Sequence, residues 1–116
     1  MAFTLSLRRP FVADHFHDLP GFQEDRHGHN WEVEAAVALA SEADEPAFAA
    51  ALDAWVATLD YRLLNDQARL AHRNPTAEVL AEDAFSHLQG AALDPRWVRI
   101  REKANYWALC RSGEAR

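Results

Sequence analysis

The sequence contains little of what stabilises secreted, fibrous or membrane-spanning chains. Its 116 residues include one cysteine, Cys110, which excludes an intrachain disulfide and favours a reducing, cytoplasmic location. Four glycines and five prolines are too few for a linker or a fibrous protein. No apolar run approaches the roughly 18 residues of a membrane span, and the first residues lack the order of a signal peptide. We therefore expect neither a membrane nor a secretory role.

Basic residues are also scarce relative to acidic ones, 12 against 18, which gives a formal net charge of −6. Because phosphate neutralisation needs a basic face, nucleic acid is not an expected partner. With 49% hydrophobic residues the chain is too apolar to be disordered. Its length fits one domain over residues 1–116, large enough to bury a core of its own.

Apolar alternation predicts two half-buried strands, over residues 3–13 and 29–40. The polar segment between them carries a Pro20–Gly21 turn signal and is predicted to be a loop. The last 20 residues contain two more alternating segments, 97–102 and 105–111, which predict a closing strand pair.

Two helices are predicted between these strand pairs from apolar residues at helical spacing. Asp44 is the predicted cap of the first helix, and Asn74 with Pro75 the predicted start of the second. The order strand, strand, helix, helix, strand, strand indicates an α+β protein with an antiparallel sheet of four strands.

Four of the six histidines lie where the first predicted strand ends and the second begins: His15, His17, His27 and His29. Alternate residues of an extended chain point to one side, so His27 and His29 can present two imidazoles together. A third from the neighbouring strand would give three nitrogens and an open position, as in catalytic zinc sites. Imidazole binds other divalent metals too, and a His-x-His pair also occurs in ordinary loops, so spacing alone leaves metal binding open. His17 is interpreted as a polar loop residue.

Five segments in fixed order resemble the 6-pyruvoyltetrahydropterin synthase family, which includes the bacterial 6-carboxytetrahydropterin synthases of queuosine biosynthesis. They are FVADH (11–15), HGHNW (27–31), LDYRLLN (59–65), NPTAEVLA (74–81) and IRE (100–102). The resemblance covers nearly the whole chain and implies the tunnelling fold, an antiparallel four-stranded sheet with two helices on one face. It further implies a zinc-dependent lyase that acts on a reduced pterin and assembles as a homohexamer, a dimer of trimers.

The resemblance assigns roles to individual residues. His15, His27 and His29 match the family's three zinc ligands. Glu102 matches the glutamate that binds the pterin ring, whose amino group and adjacent N–H can donate two parallel hydrogen bonds to a carboxylate. The implied substrate is 7,8-dihydroneopterin triphosphate, and the reaction takes place on its side chain.

Two residues of the family's proton-transfer set are replaced. Gln23 occupies the position of the cysteine, and Tyr61 that of the histidine which follows Asp60. The candidate catalytic acid/base groups are therefore Asp60 and Glu24, which lies one residue from the cysteine position. Burial beside a metal can raise the pKa of a carboxylate toward neutrality, although Glu24 can equally be a solvated loop acid. Tyr61 and His72 are further candidates.

Three functions stay open on this sequence. The first is the family's synthase chemistry on dihydroneopterin triphosphate or a related pterin. The second is a variant that uses a carboxylate base and forms 6-hydroxymethyl-dihydropterin, since some relatives of the family use glutamate in place of the cysteine. The third is a protein that binds metal and pterin without synthase activity.

Overall fold

One long hairpin forms the middle of the sheet. In the computed structural model, which describes residues 3–70 and 73–113 and the side chains of these except 18, 19 and 22, strand β1 (Phe3–Leu19) pairs antiparallel with β2 (Phe22–Leu39). The two strands meet at Pro20–Gly21, where Gly21 has φ +76°, a backbone conformation that glycine adopts without strain. The segment predicted to be a loop is therefore mostly strand. Strand pairing therefore continues beyond the residues in which apolar alternation is visible.

The complete sheet has five strands in the order β3-β1-β2-β4-β5. Strand β4 (Asp94–Lys103) pairs antiparallel with both β2 and β5 (Tyr106–Arg111). Strand β3 (Arg62–Leu63) runs parallel to β1 at the other edge. The prediction of four antiparallel strands was therefore wrong in number and in its uniform direction, because a strand of two residues leaves no periodicity to detect.

Both helices lie on one face of this sheet. Helix α1 (Glu45–Ala57) follows a short 3-10 turn capped by Ser41, and Asp44 makes no side-chain capping bond. Helix α2 (Ala77–Gly90) is capped by Thr76, whose hydroxyl accepts a hydrogen bond from the Val79 N–H. The predicted start at Asn74 was thus two residues early.

None of the described helices combines the length and apolar character that a membrane-spanning segment requires.

The core lies between the helices and the inner face of the sheet. Alternate residues of β2 from Trp31 to Leu39 are buried there, and Phe11 of β1 stacks on Trp31 at 5.9 Å between ring centroids. Trp55 of α1 meets the Phe11 ring edge-on at 5.7 Å. Toward the hairpin turn, the same alternation leads from the core into His15 on β1 and to the histidines of β2. The same face of the sheet therefore carries apolar side chains in the core and imidazole rings toward the hairpin turn.

Candidate metal centre

Three imidazoles converge at the end of the core. The ring centroids of His15 and His27 are 4.5 Å apart, and that of His29 lies 5.2 Å from His15 and 4.7 Å from His27. One possible ligand atom from each of the three lies within 4.8 Å of the other two. Strand pairing produces this convergence, because His15 and His27 are direct cross-strand partners and His29 follows two residues along the same face.

In His15 and His27, hydrogen bonds to the main chain fix which ring nitrogen is available to bind a metal. His15 Nδ1 donates to the Pro75 carbonyl oxygen at 2.7 Å, and His27 Nδ1 donates to that of Asp25 at 2.7 Å. Since a carbonyl only accepts, each Nδ1 carries the proton and each Nε2 keeps its lone pair in the neutral ring. The two Nε2 atoms face each other at 2.9 Å. Such a pair requires a proton or a cation between its members, and histidines that bind metal are typically anchored in this way.

The lowered pKa values of His15 and His29 favour the binding of a cation. Burial lowers the pKa of His15 to about 4, with the neighbouring histidines acting in the same direction against the bond to Pro75. Burial also lowers the pKa of His29, where Glu102 acts in the opposite sense. His29 Nε2 is buried and has no hydrogen-bond partner among the described residues. Neutral imidazole is the form that coordinates a metal, so these three residues fit the group that the resemblance implies.

Glu102 lies beside the same cluster. It projects from β4 with its Oε2 atom 3.6 Å from His29 Nε2, and only 14% of its side chain is exposed. Trp31 forms a wall of the cluster, since its ring meets those of His15 and His29 edge-on at 5.0 and 5.4 Å. Glu102 can thus accept hydrogen bonds from a ligand next to the imidazoles.

Glu24 also reaches the cluster. Its Oε1 atom lies 3.3 Å from His27 Nε2 and 3.4 Å from His17 Nδ1. His17 belongs to β1 and packs on His15 at 5.0 Å between ring centroids, so it is a strand residue of the centre and not the loop residue that was expected. His15, His17 and Glu24 form a second set of possible metal ligands.

A β-bulge explains why Glu24 and not Gln23 faces the histidines. His15 pairs with His27 and His17 with Glu24, so one residue of β1 lies opposite two of β2, Asp25 and Arg26. The extra residue reverses the alternation of β2 beyond the bulge. Glu24 therefore points to the inner face, and Gln23 is exposed.

The structure does not bring Asp60 into this cluster. Its Oδ1 atom accepts a hydrogen bond from the Val12 N–H at 2.9 Å, which fixes the end of α1 to β1. Tyr61 follows in the left-handed region with φ +59° and an 82% exposed side chain. His72 lies outside the described residues.

Other groups at or near the centre could not be predicted from the sequence. The carbonyl groups of Asp25 and Pro75 hold two imidazoles, but a backbone acceptor leaves no trace in residue type. The Tyr106 hydroxyl donates to Glu78 at 2.7 Å at the start of α2. Burial tends to raise the pKa of Glu78, but the bond from Tyr106, other hydrogen bonds and the nearby His17 lower it overall. The NPT segment was informative only as a helix start.

The fold and the three imidazoles define a small α+β protein with a candidate metal centre on its sheet. The family model for 6-pyruvoyl tetrahydropterin synthase matches residues 4–113, so the chain belongs to this family. No curated protein sequence matches it.

Solved structures share the architecture. The Caenorhabditis elegans 6-pyruvoyl tetrahydropterin synthase superposes with a TM-score of 0.82 at 15% identity, covering 97% of each chain. The Plasmodium falciparum enzyme gives 0.65 at 14% identity, covering 94% of this chain and 96% of its own. A Plasmodium vivax variant, described as a catalytic residue mutant with cysteine in place of glutamate, gives 0.63 at 14% identity, covering 95% and 97%. At these identities, the similarity shows that the fold is shared.

Proposed function

We propose that this protein is a zinc-dependent enzyme that acts on the side chain of a reduced pterin, 7,8-dihydroneopterin triphosphate or a close relative. The observation that carries the proposal is the pair of Nε2 lone pairs of His15 and His27, facing each other at 2.9 Å with His29 beside them. Three imidazoles suit Zn²⁺, and membership of the family supports the pterin.

Different residues of the chain would bind the metal and the pterin. His15, His27 and His29 would hold the metal, which when bound acidifies hydroxyl groups and stabilises negative charge on oxygen. Glu102 would accept hydrogen bonds from the pterin ring. Because it lies 3.6 Å from His29, it would hold the side chain of the pterin next to the centre.

Glu24 is the proposed acid/base group. Its carboxylate lies at the edge of the cluster with 41% of its side chain exposed, within reach of both an entering ligand and water. The Plasmodium vivax protein, whose mutated catalytic residue is a glutamate, supports a carboxylate in this role.

Asp60 is the second proposed acid/base group. Since Asp60 lies outside the histidine cluster of its own chain, bonded to Val12, its contribution would have to be to a cluster of another subunit in a homohexamer. Size measurement in solution tests this directly, and a monomer would contradict it.

The proposal is tested with purified protein, first for metal and then for turnover. We expect stoichiometric zinc that His27→Ala removes and His87→Ala retains. His87 is a matched control, because it lies on α2 and contacts the Ala51 carbonyl oxygen. Protein without stoichiometric metal, unaffected by His27→Ala, would contradict the proposal.

Products from dihydroneopterin triphosphate, analysed by mass, then identify the reaction. Formation of 6-hydroxymethyl-dihydropterin supports the route through Glu24. A 6-carboxy product supports a role like that of the queuosine-pathway members, and a 6-pyruvoyl product supports the standard synthase. Metal and pterin binding without turnover supports the second candidate, a binding protein, which the replacements at Gln23 and Tyr61 favour.

A further inference from the structure

The three-histidine set does not account for all the donor atoms at the centre. Glu24 Oε1 lies 3.3 Å from His27 Nε2, and His17 Nδ1 lies 3.4 Å from the same oxygen. Neither residue belongs to the three ligands that the family resemblance assigns. His17 lies two residues from His15 on the same face of β1, and Glu24 reaches that face through the β-bulge of β2.

The two possible ligand sets describe one ion and not two. Both sets contain His15, whose Nδ1 is occupied by the Pro75 carbonyl oxygen. Only His15 Nε2 is left to coordinate, and a nitrogen lone pair binds one metal. The two sets therefore share one His15 nitrogen, and Glu24 Oε1 lies 3.3 Å from His27 Nε2 of the first set.

The distance between His27 Nε2 and Glu24 Oε1 fits two donors to one zinc ion. Donors on tetrahedral zinc at bond lengths of about 2.0–2.2 Å lie about 3.3–3.6 Å from one another. The 3.3 Å between His27 Nε2 and Glu24 Oε1 matches this separation. Glu24 Oε1 thus lies at the distance from His27 Nε2 that two donors to one zinc ion have.

His17 contacts the carboxylate from its other side. Its side chain is 11% exposed, against 41% for Glu24, and its ring packs on His15. At 3.4 Å the contact with Glu24 is longer than an ordinary hydrogen bond. It restricts the carboxylate, which is otherwise partly exposed, to the side of the imidazoles.

We propose that Glu24 is the fourth protein ligand of the metal in the ligand-free protein, and that His17 is a positioning residue that directs the Glu24 carboxylate to the centre. This rests on the metal site of the proposed function and deepens it. A pterin entering the centre then has to displace a protein carboxylate rather than a solvent molecule.

The test measures metal binding, without any turnover. Zn²⁺ affinity is determined by competition with a chromophoric chelator, and the ligand field by the visible spectrum of the Co²⁺-loaded protein. The variants are Glu24→Gln and His17→Ala. Glu45→Gln is the matched control, since it makes the same exchange at an exposed residue at the start of α1 and leaves the donor set intact.

We expect His17→Ala to lower Zn²⁺ affinity about 10- to 100-fold, as loss of an outer partner does, and Glu24→Gln to lower it further. Glu24→Gln should also change the Co²⁺ spectrum, while Glu45→Gln leaves affinity and spectrum unchanged. In the Glu24→Gln background, His17→Ala should add little, because a positioning residue acts through the group it positions. A merely structural His17 would instead give additive losses.

The proposal is overturned if Glu24→Gln behaves like Glu45→Gln while the parent binds one equivalent of metal. That result would leave the three-histidine centre and the proposed function standing. A parent that binds no metal would instead overturn the proposed function first. If Glu24→Gln fails to fold, Glu24→Ala removes the side-chain donor altogether, and an unchanged Co²⁺ spectrum in that variant would equally contradict ligation.

Discussion

The buried His15 makes the stability of the metal-free protein depend on pH. In the folded chain its pKa is lowered from 6.5 to about 4, chiefly by burial. The unfolded chain therefore binds a proton on this residue at pH values where the folded chain does not. The stabilisation is fully present above about pH 6.5, and it is lost as the pH falls through that value toward 4.

The two pKa values set the size of the effect. A histidine with a pKa of 6.5 unfolded and about 4 folded lowers the free energy of unfolding by about 2 kcal/mol between about pH 7 and pH 5. We use the difference between the parent and His15→Gln, because other groups that titrate in both chains cancel. Glutamine stays neutral and can still donate from its amide to the Pro75 carbonyl oxygen.

Urea unfolding of both proteins in the presence of a chelator measures this difference. The parent should lose about 2 kcal/mol more than His15→Gln on going from about pH 7 to pH 5. With Zn²⁺ in place of the chelator, the parent should be stabilised throughout and the two profiles should separate. Parallel profiles in the metal-free state would refute the argument that burial holds His15 neutral.

Three further predictions concern the same hairpin and its ligands. Saturating Zn²⁺ should raise the free energy of unfolding by about 2.7 kcal/mol at 100 times Kd, as followed by urea unfolding, and His27→Ala should abolish the gain. Gly28→Ala should lower the free energy of unfolding by about 1 kcal/mol or less, because the new Cβ would lie 2.7 Å from Asp14 Oδ1 and displace this carboxylate from Arg26. In an Asp14→Ala background, denaturant titration should show no further loss of stability from Gly28→Ala. Glu102→Gln should weaken binding of a reduced pterin about 10- to 100-fold, measured by fluorescence titration, with zinc content unchanged.

The sequence predicted the parts of this molecule that depend on residue type and period. Alternation predicted β4, β5 and the apolar parts of β1 and β2, and helical spacing predicted α1 and α2, while the hairpin ends of β1 and β2 were expected to be a loop. The candidate ligands His15, His27 and His29 were chosen from the resemblance, and the alternation of His27 and His29 is compatible with their meeting on one face. What it missed depends on pairing between segments: β3 is too short to show a period, and the anchoring of His15 comes from a backbone carbonyl 60 residues away. Asp60, grouped with Glu24 by resemblance, bonds elsewhere in the chain.

The β-bulge of β2 opposite Phe16 determines whether residue 23 or residue 24 faces the histidines. Exchanging the two side chains tests this. Without the extra residue of β2, Gln23 would share a face with His27 and His29, and Glu24 would point away. With it, Glu24 lies 3.3 Å from His27 Nε2. We therefore expect the double variant Gln23→Glu/Glu24→Gln to bind Zn²⁺ as weakly as Glu24→Gln alone in the chelator competition assay, although its composition and charge equal those of the parent. Restoration of the parent's affinity by a carboxylate at position 23 would mean that the register in solution lacks the bulge, and that Gln23 holds the position facing the metal.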